Sequence, residues 1–269
     1  GFWLCRRYGI PLCACYQTDY ERLVEMYWHP WLATLPIRFL KWWHGVFFRA
    51  SACVLTISKD MAVKARKVGV KRPHIVGTPL GVEFVRRPLR PMANELRSVL
   101  FLGRLAAEKN IETLLEAAAR LRHIHFYIAG DGPLREQVLE HATTLPNLTY
   151  LGWLSREQVV TMLDHVEMLA LPSKVEAFGT VAVEAMARAR LVLTSQYCGI
   201  NNWPGLAQGL FTMEDGESVT GAIERVAALP TEARQEKAAL AREAALALNQ
   251  DTIDQWMQLL TDLTRPRRP

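Results

Sequence analysis

The chain has no run of about 18 uninterrupted apolar residues, the length that a membrane-spanning helix needs, although half of its 269 residues are hydrophobic. We therefore predict no transmembrane helix. Its first residues also lack the small-residue cleavage pattern of a secretory signal peptide. A chain of this length and hydrophobicity suits one large domain or two ordinary ones.

Cysteine is scarce, and the five cysteines are an odd number. Cys13 and Cys15 would point to opposite faces of a predicted strand. The number and the placement favour reduced, buried thiols in a cytoplasmic protein over disulfides or metal ligands.

Motifs for metals, nucleotides and nucleophilic catalysis are also missing. None of the seven histidines has zinc-ligand spacing with acids or cysteines, so we predict no metal site. There is no Gly-x-Ser-x-Gly elbow, no P-loop and no recognisable nucleic-acid-binding motif. The glycine-rich segment 130–133 is not a dinucleotide fingerprint and favours a tight turn before a helix.

Positive charge is concentrated at one end of the chain. Residues 1–92 carry a net charge of +10, whereas residues 93–250 carry −5. This asymmetry predicts two domains with different partners. The basic part is either ordinary solubility charge or a surface for an anionic partner, such as a membrane or a phosphorylated ligand. Segment 86–94, rich in proline and arginine, is predicted to be the linker.

Hydrophobic patterning predicts alternating strands and helices. In the second part, strands are expected at 98–102, 124–129, 148–151, 168–171 and 191–194, with helices between them. This order predicts a parallel sheet with helices on both faces and ligands at the carboxyl ends of its strands. The first part predicts strands at 12–16, 53–57 and 74–76, with helices at 31–50 and 59–68.

The predicted helix 31–50 is rich in aromatic residues. Trp42, Trp43, Phe47 and Phe48 are interspersed with the cations Arg38, Lys41 and Arg49. Two interpretations stay open: the helix lies in a membrane interface, or it packs on the part of its domain that is expected to be missing.

Four charged residues in the second part indicate a ligand site. Glu176 and Glu184 flank Phe178-Gly179, where a helix is expected to open. Carboxylates accept hydrogen bonds from sugar hydroxyls, and a helix N-terminus suits phosphate. Arg104 and Lys109 follow the predicted strand 98–102 and could clamp a diphosphate. The pattern predicts a hydroxylated, phosphorylated ligand such as a sugar nucleotide.

These motifs together resemble family 4 of the retaining GT-B-fold glycosyltransferases, also called glycosyl transferases group 1. The matching pieces are Gly103-Arg104, Glu108-Lys109-Asn110, segment 130–133, Pro172-Ser173 and the Glu-x7-Glu motif from Glu176 to Glu184. Segment 79–83 resembles the Pro-x-Gly-Val-Asp turn of that family. The resemblance runs from about residue 8 to residue 200.

The resemblance implies an α/β, GT-B-like fold with two Rossmann-like domains, of which the N-terminal one is truncated and the C-terminal one complete. Residues 1–92 would form the partial acceptor-side domain, and residues 93–250 the nucleotide-sugar-binding domain. Residues 251–269 would form a helix that crosses back to the N-terminal domain.

The resemblance also implies roles for individual residues. Arg104 and Lys109 would bind the donor diphosphate, Glu184 the ribose and Glu176 the transferred sugar. The predicted catalytic residues are Glu176, Arg104 and Lys109. The predicted donor-binding residues are Gly103, Arg104, Lys109, Glu176, Phe178, Gly179, Thr180 and Glu184.

The resemblance calls for no metal and no cofactor besides the nucleotide sugar. At two positions the chain departs from the family's usual pattern. Gln17 stands where the family usually carries a histidine that contacts the donor sugar, so Gln17 is a further candidate sugar contact. Segment 198–202 replaces the common Gly-Gly-x-x-Glu.

The expected function is metal-independent, retaining transfer of a hexose from GDP-mannose or a UDP-sugar to an acceptor hydroxyl of a sugar or lipid. The enzyme would be cytoplasmic, peripheral at the inner face of the membrane, with no nucleic-acid partner. The alternative is a catalytically inactive nucleotide-sugar-binding or scaffold protein, motivated by Gln17 and the missing N-terminal strands. A nucleotide-sugar epimerase is disfavoured by the Glu-x7-Glu context.

Overall fold

The computed structural model describes residues 2–203 and 205–264, except the side chains of residues 2 and 30. The chain forms two compact units, one of residues 1–79 with 248–269 and one of residues 80–247. Each unit has its own parallel sheet. Residues 265–269, the end of the predicted segment 251–269, lie outside the described residues.

The first unit is built on a three-stranded sheet of order β1-β2-β3. Its strands are β1 (Cys13–Tyr16), β2 (Cys53–Thr56) and β3 (His74–Ile75). Its helices before position 80 are α1 (Phe2–Tyr8), α2 (Tyr20–Tyr27), α3 (Pro30–Arg49) and α4 (Lys59–Lys67). α4 begins where Ser58 caps it, accepting a 3.3 Å hydrogen bond from the backbone N–H of Met61.

The long helix α3 presents apolar side chains on two faces. One face is buried, through residues such as Ala33, His44 and Phe48. The opposite face is exposed along most of the helix, and we call it the aromatic stripe: Trp31, Leu35, Phe39, Trp42, Trp43 and Val46. No helix within the described residues is long and apolar enough to cross a membrane.

The second unit contains a six-stranded parallel sheet of order β6-β5-β4-β7-β8-β9. The strands are β4 (Ser98–Leu102), β5 (His125–Ala129), β6 (Leu148–Gly152), β7 (Met168–Leu171), β8 (Leu191–Thr194) and β9 (Phe211–Thr212). The helices are α5 (Val82–Arg86), α6 (Ile111–Arg120), α7 (Arg135–Thr144), α8 (Arg156–Leu163), α9 (Thr180–Ala187) and α10 (Val219–Ala227). The strand order reverses at β4, whose neighbours are β5 and β7, and such a reversal opens a crevice at the carboxyl ends of the strands.

The predicted linker 86–94 lies inside the second unit, which begins at residue 80 rather than after residue 92. The fully buried side chain of Arg188 explains this difference. Its guanidinium donates to the carbonyl oxygens of Arg87 and Pro88, each at 2.7 Å, and to Asp164 at 2.8 Å. A buried guanidinium needs such partners, and they tie the start of the unit to the C-terminal ends of α8 and α9.

The final helix, α11 (Thr231–Thr264), is continuous, so the predicted helix that starts at residue 251 is the second part of a longer helix. Neither glycine nor proline interrupts residues 231–264, so nothing in this stretch breaks the helix. Its last turns belong to the first unit, where Trp256, Leu259 and Leu263 pack against Cys53, Leu55 and Val76. The indole N–H of Trp256 donates to the carbonyl oxygen of Gly77 over 3.3 Å.

Candidate functional site

The loop after β4 carries both predicted phosphate-binding cations. It runs from Gly103 through a short 3-10 helix, Ala107–Lys109, to Asn110, whose φ of 57° is left-handed. The side-chain amide of Asn110 donates to the carbonyl oxygen of Pro172 over 3.2 Å. This hydrogen bond joins the loop after β4 to the loop after β7, which leads to Glu176.

The glycine-rich turn after β5 supports the loop after β4. Gly130 and Gly132 have φ values of 129° and 156°. A Cβ at either position would collide with the backbone of Gly103 or Leu105. The backbone N–H of Leu105 donates to the carbonyl oxygen of Asp131 over 2.9 Å. The tight-turn interpretation of segment 130–133 therefore accounts for both glycines through close backbone packing.

Lys109 and Glu176 are in direct contact, although 67 positions separate them. The Lys109 Nζ donates to Glu176 Oε2 over 2.5 Å, and the two side chains keep 19% and 17% of their surface exposed. The backbone N–H of Lys174 donates to the carbonyl oxygen of Glu108 over 2.8 Å, which fixes the two loops together. The tertiary structure thus brings together two of the three predicted catalytic residues.

Arg104, the third predicted catalytic residue, has a more exposed side chain than Lys109. Its side chain is 62% exposed, and its Nη1 lies 3.8 Å from Oε1 of the buried Glu108. That distance is an ion pair without a hydrogen bond. The guanidinium therefore keeps donors that a phosphate group could engage.

The start of α9 provides backbone N–H groups beside the Lys109–Glu176 ion pair. Gly179 is the N-cap residue with a φ of 101°, and no side chain caps the helix that begins at Thr180. Phe178 is buried, with its ring 5.2 Å from that of Trp203, so only its backbone is available to a ligand. Segment 198–202, which departs from the family's usual pattern, holds the loop between Glu176 and α9 in place. The N–H of Gly199 donates to the carbonyl oxygen of Glu176 over 3.0 Å.

Glu184 lies within α9 in a largely buried position. Burial raises the pKa of this carboxyl to about 7, with Glu83 adding to the rise and Arg156 opposing it. Such a carboxyl takes up a proton at a higher pH than an exposed glutamate does. A ligand hydroxyl that donates to the carboxylate would favour its charged form.

Glu83 and Arg156 belong to the surroundings of Glu184, although the sequence analysis assigned neither a role. The guanidinium of Arg156 lies 3.8 Å from the Glu83 carboxylate. That carboxylate folds back over Gly81, where any Cβ would collide with it. In the sequence, only the turn at residues 79–83, which resembles a family motif, indicated a role for the region of Glu83. Residue types alone could not show that this region lies beside Glu184 of α9.

Gln17 belongs to the first unit, where it follows β1 and lines a cavity of about 320 Å³. The same cavity is lined by His44 of α3, whose Nδ1 is buried without a hydrogen-bond partner among the described residues. Within residues 2–203 and 205–264, no three side chains of His, Cys, Asp or Glu are grouped to hold a metal ion.

The arrangement in the second unit offers two cations and a helix N-terminus to an anion, and two carboxylates to hydroxyl groups. The individual roles assigned to these residues from the sequence stay predictions. Comparison with known proteins relates the arrangement to a family. A family model described as "Glycosyl transferases group 1" matches residues 90–242, which is more than half of the chain.

Curated relatives carry glycosyltransferase names. The chain is 30% identical over 180 residues to an alpha-D-kanosaminyltransferase of Streptomyces kanamyceticus, covering 60% of this chain and 47% of that protein. It is 28% identical over 190 residues to a GDP-mannose-dependent alpha-mannosyltransferase of Corynebacterium glutamicum, covering 68% of this chain and 44% of that protein. The chain thus spans about half the length of these relatives.

Solved structures share the fold. Anabaena HepE, in complex with UDP and glucose, superposes with a TM-score of 0.70 at 16% identity, over 96% of this chain and 74% of that chain. A sucrose-phosphate synthase of Thermosynechococcus elongatus superposes with a TM-score of 0.66 at 22% identity, over 79% of this chain and 58% of that chain. The predicted α/β, GT-B-like fold class is confirmed.

Proposed function

This chain belongs to the glycosyl transferases group 1 family, and from this membership we propose that it transfers a hexose from a nucleoside diphosphate sugar to an acceptor hydroxyl. The observation that carries the proposal is the contact between Lys109 and Glu176 beside the uncapped start of α9. A cation and a carboxylate therefore lie side by side at the crevice of the sheet. A sugar diphosphate presents both of the groups that such a pair recognises.

Each group of the donor has a proposed partner. Lys109, Arg104 and the first N–H groups of α9 bind the diphosphate, to which the helix dipole is also favourable. Glu176 accepts hydrogen bonds from hydroxyls of the transferred sugar. Glu184 accepts from the ribose, and the nucleotide thereby holds that carboxyl in its charged form.

The proposed reaction is the retaining transfer of family 4, without a metal ion. The bond between the anomeric carbon and the diphosphate oxygen breaks, and the acceptor oxygen bonds to the same face of that carbon. The acceptor proton passes to the departing diphosphate, so no protein nucleophile is needed. Lys109 and Arg104 stabilise the charge that develops on the diphosphate, which is the main catalytic contribution.

Two donor classes are proposed, GDP-mannose and UDP-sugars. One relative is named for GDP-mannose, and one structural neighbour was solved with UDP-glucose at a TM-score of 0.68. A thermal-shift screen of UDP, GDP, ADP and their sugars tests the proposal. We expect UDP or GDP to raise the Tm and ADP to leave it unchanged. A chain that no nucleotide stabilises would contradict the proposed donor site.

A catalytically inactive nucleotide-sugar-binding or scaffold protein is the second candidate, because Gln17 replaces a histidine of the family's usual pattern. Gln17 can form hydrogen bonds, but unlike a histidine it cannot take up an additional proton near neutral pH. Chromatography that measures the UDP or GDP released from the matching nucleotide sugar distinguishes an active transferase from an inactive protein. Donor binding with no release in the presence of sugar and lipid acceptors would favour the inactive protein.

We also propose that the protein is cytoplasmic and binds the inner face of an anionic membrane, where a lipid acceptor would lie. The aromatic stripe of α3 supports this proposal, because Trp and Phe side chains enter the interface between lipid and water. Three exposed cations on the same helix, Arg38, Lys41 and Arg49, suit anionic headgroups. Lys41 is in part neutralised by Glu21, 3.3 Å away.

Sedimentation with liposomes tests the membrane proposal. Vesicles with anionic lipid should retain the protein, and retention should fall with salt. Replacing Phe39 and Trp42 by Ser should abolish retention, whereas Trp153→Ser, which removes an exposed tryptophan of the second unit, should leave it unchanged. Equal retention by neutral and anionic vesicles would contradict the electrostatic contribution.

A further inference from the structure

A cavity of about 630 Å³ lies in the second unit, between segment 89–92 and the first half of α11. Segment 89–92 comes before β4, and Ala189, which also lines the cavity, comes shortly before β8. The cavity is therefore near the amino ends of the strands, whereas Lys109 and Glu176 follow the carboxyl ends. Its volume falls within the range of about 300–1,000 Å³ that small-molecule sites occupy.

Most of the lining of this cavity is apolar. The apolar side chains come from segment 89–92 and from α11: Leu89, Pro91, Met92, Ala238, Ala239 and Leu246. Apolar surface that a ligand covers is removed from water, which favours binding. Small-molecule sites typically combine such a lining with a few polar groups that fix the orientation of the ligand. The cavity thus suits a ligand with an apolar body.

The charged side chains of the lining are those of Arg90, Arg242 and Glu243, which leave an excess of one positive charge. The guanidinium of Arg242 donates to the carbonyl oxygen of Ala187, and within residues 2–203 and 205–264 this is its one hydrogen bond. A guanidinium has five N–H donors, so Arg242 keeps others for a ligand. Burial lowers the pKa of Arg242, and Arg188 adds to this effect. An anion that pairs with Arg242 would oppose both causes.

Arg90 brings a second guanidinium to the cavity, from segment 89–92 rather than from α11. Its carbonyl oxygen accepts a hydrogen bond from the buried guanidinium of Arg190, which fixes the backbone of this segment. The side chain of Arg90 is exposed and hydrogen-bonds to nothing in the part of the chain that the structure describes. Both guanidinium groups of the lining therefore have donors that a ligand can engage.

We propose that this cavity binds an acyl carboxylate, whose carboxylate pairs with Arg242 and Arg90 and whose chain lies on the apolar lining. A guanidinium can donate to both oxygens of a carboxylate at once. One negative charge matches the excess positive charge of the lining, whereas a phosphate monoester carries about −1.5 to −2 at neutral pH. The site is distinct from the proposed donor site, and the proposal does not depend on glycosyl transfer.

Calorimetric titration with octanoate tests the proposal. Octanamide has a chain of the same length without the charge, acetate has the charge without the chain, and octyl phosphate carries the larger charge. Arg242→Met and Arg90→Met each remove a guanidinium and keep an apolar side chain. Ala239→Phe fills part of the cavity without a change of charge. Arg120→Met, at an exposed arginine of α6 outside the cavity, is the matched control.

We expect the unchanged protein and Arg120→Met to bind octanoate equally, at one site. Arg242→Met and Arg90→Met should each weaken this binding at least about tenfold, the loss of a charge-assisted hydrogen bond, and Ala239→Phe should abolish it. Octanamide and acetate should bind at least about tenfold more weakly than octanoate. Arg242→Met also loses the hydrogen bond to Ala187, so its Tm is measured, and Arg90→Met decides if that variant does not fold.

Several results would overturn the proposal. Octanoate binding that Ala239→Phe leaves unchanged would place the ligand outside this cavity. Equal affinities for octanamide and octanoate would exclude recognition of the carboxylate, and so would unchanged octanoate binding in Arg90→Met. Tighter binding of octyl phosphate than of octanoate would contradict the match to a single charge. The absence of any saturable octanoate binding would refute the site altogether.

Discussion

Removing one partner of the Lys109–Glu176 ion pair is expected to separate nucleotide binding from turnover. Glu176→Ala frees the Nζ of Lys109, now held at 2.5 Å. A diphosphate then engages that cation without displacing a carboxylate. We expect this variant to bind UDP or GDP at least as tightly as the unchanged protein. Its turnover should fall, because the sugar loses the acceptor that positions its anomeric carbon.

Lys109→Ala should have the opposite effect on binding. Losing a charge-assisted hydrogen bond to phosphate costs about 1.5–3 kcal/mol, which is about a 10- to 150-fold weaker Kd. Either variant also breaks a mostly buried pair, so both should lose a few degrees of Tm, at about 2–4 °C per kcal/mol. Glu176→Gln should recover part of the turnover, since its amide oxygen still accepts one hydrogen bond.

Calorimetric titration, product formation and Tm on the same proteins test this reasoning. Lys174→Ala, a neighbouring exposed lysine, controls for general loss of positive charge. Wild-type turnover in Glu176→Ala would refute the sugar role of Glu176. Unchanged nucleotide affinity in Lys109→Ala would refute the diphosphate role of Lys109.

Three further outcomes are expected. Arg104→Ala should weaken UDP or GDP binding by about 1.5–3 kcal/mol in calorimetry, with little change in Tm because the side chain is largely exposed; unchanged affinity would remove Arg104 from the clamp. Since the pKa of Glu184 is raised from 4.5 to about 7, the folded state binds more protons, so stability should fall as pH rises between these values by roughly 2–3 kcal/mol. Urea unfolding of the unchanged protein and of Glu184→Gln at pH 5 and 8 checks this. An equal change in the free energy of unfolding between the two pH values in both proteins would contradict it. Gly130→Ala should cost at least about 2 kcal/mol because it adds a backbone collision to left-handed strain, whereas Gly152→Ala, with open space around it, should cost about 1 kcal/mol by the same measurement.

Local patterning was enough to predict five of the six strands of the second unit. Strands β4, β7 and β8 have the predicted bounds, because short, fully buried apolar runs between turns have few other solutions. Helices α1, α2, α5 and α10 and strand β9 were not predicted. Most of them are short, and a short segment contains too few residues for a clear periodic pattern.

The assignment of residues 80–92 to the second unit depends on contacts that are far apart in sequence. Proline and arginine in this segment are typical of a linker, yet Arg188 binds its carbonyl groups from about 100 positions away. A composition-based boundary cannot register a buried guanidinium on another element.

The sequence by itself determined the fold class, the family and the candidate donor residues, because Glu-x7-Glu and the loop after β4 are local motifs with local spacing. Only the tertiary structure decided that Lys109 neutralises Glu176, that Glu184 is buried near Glu83 and Arg156, and that His44 shares a cavity with Gln17. Each of these facts depends on distance and burial between residues remote in the chain. Charge state and pairing follow from that three-dimensional environment, which spacing along one strand or helix does not contain.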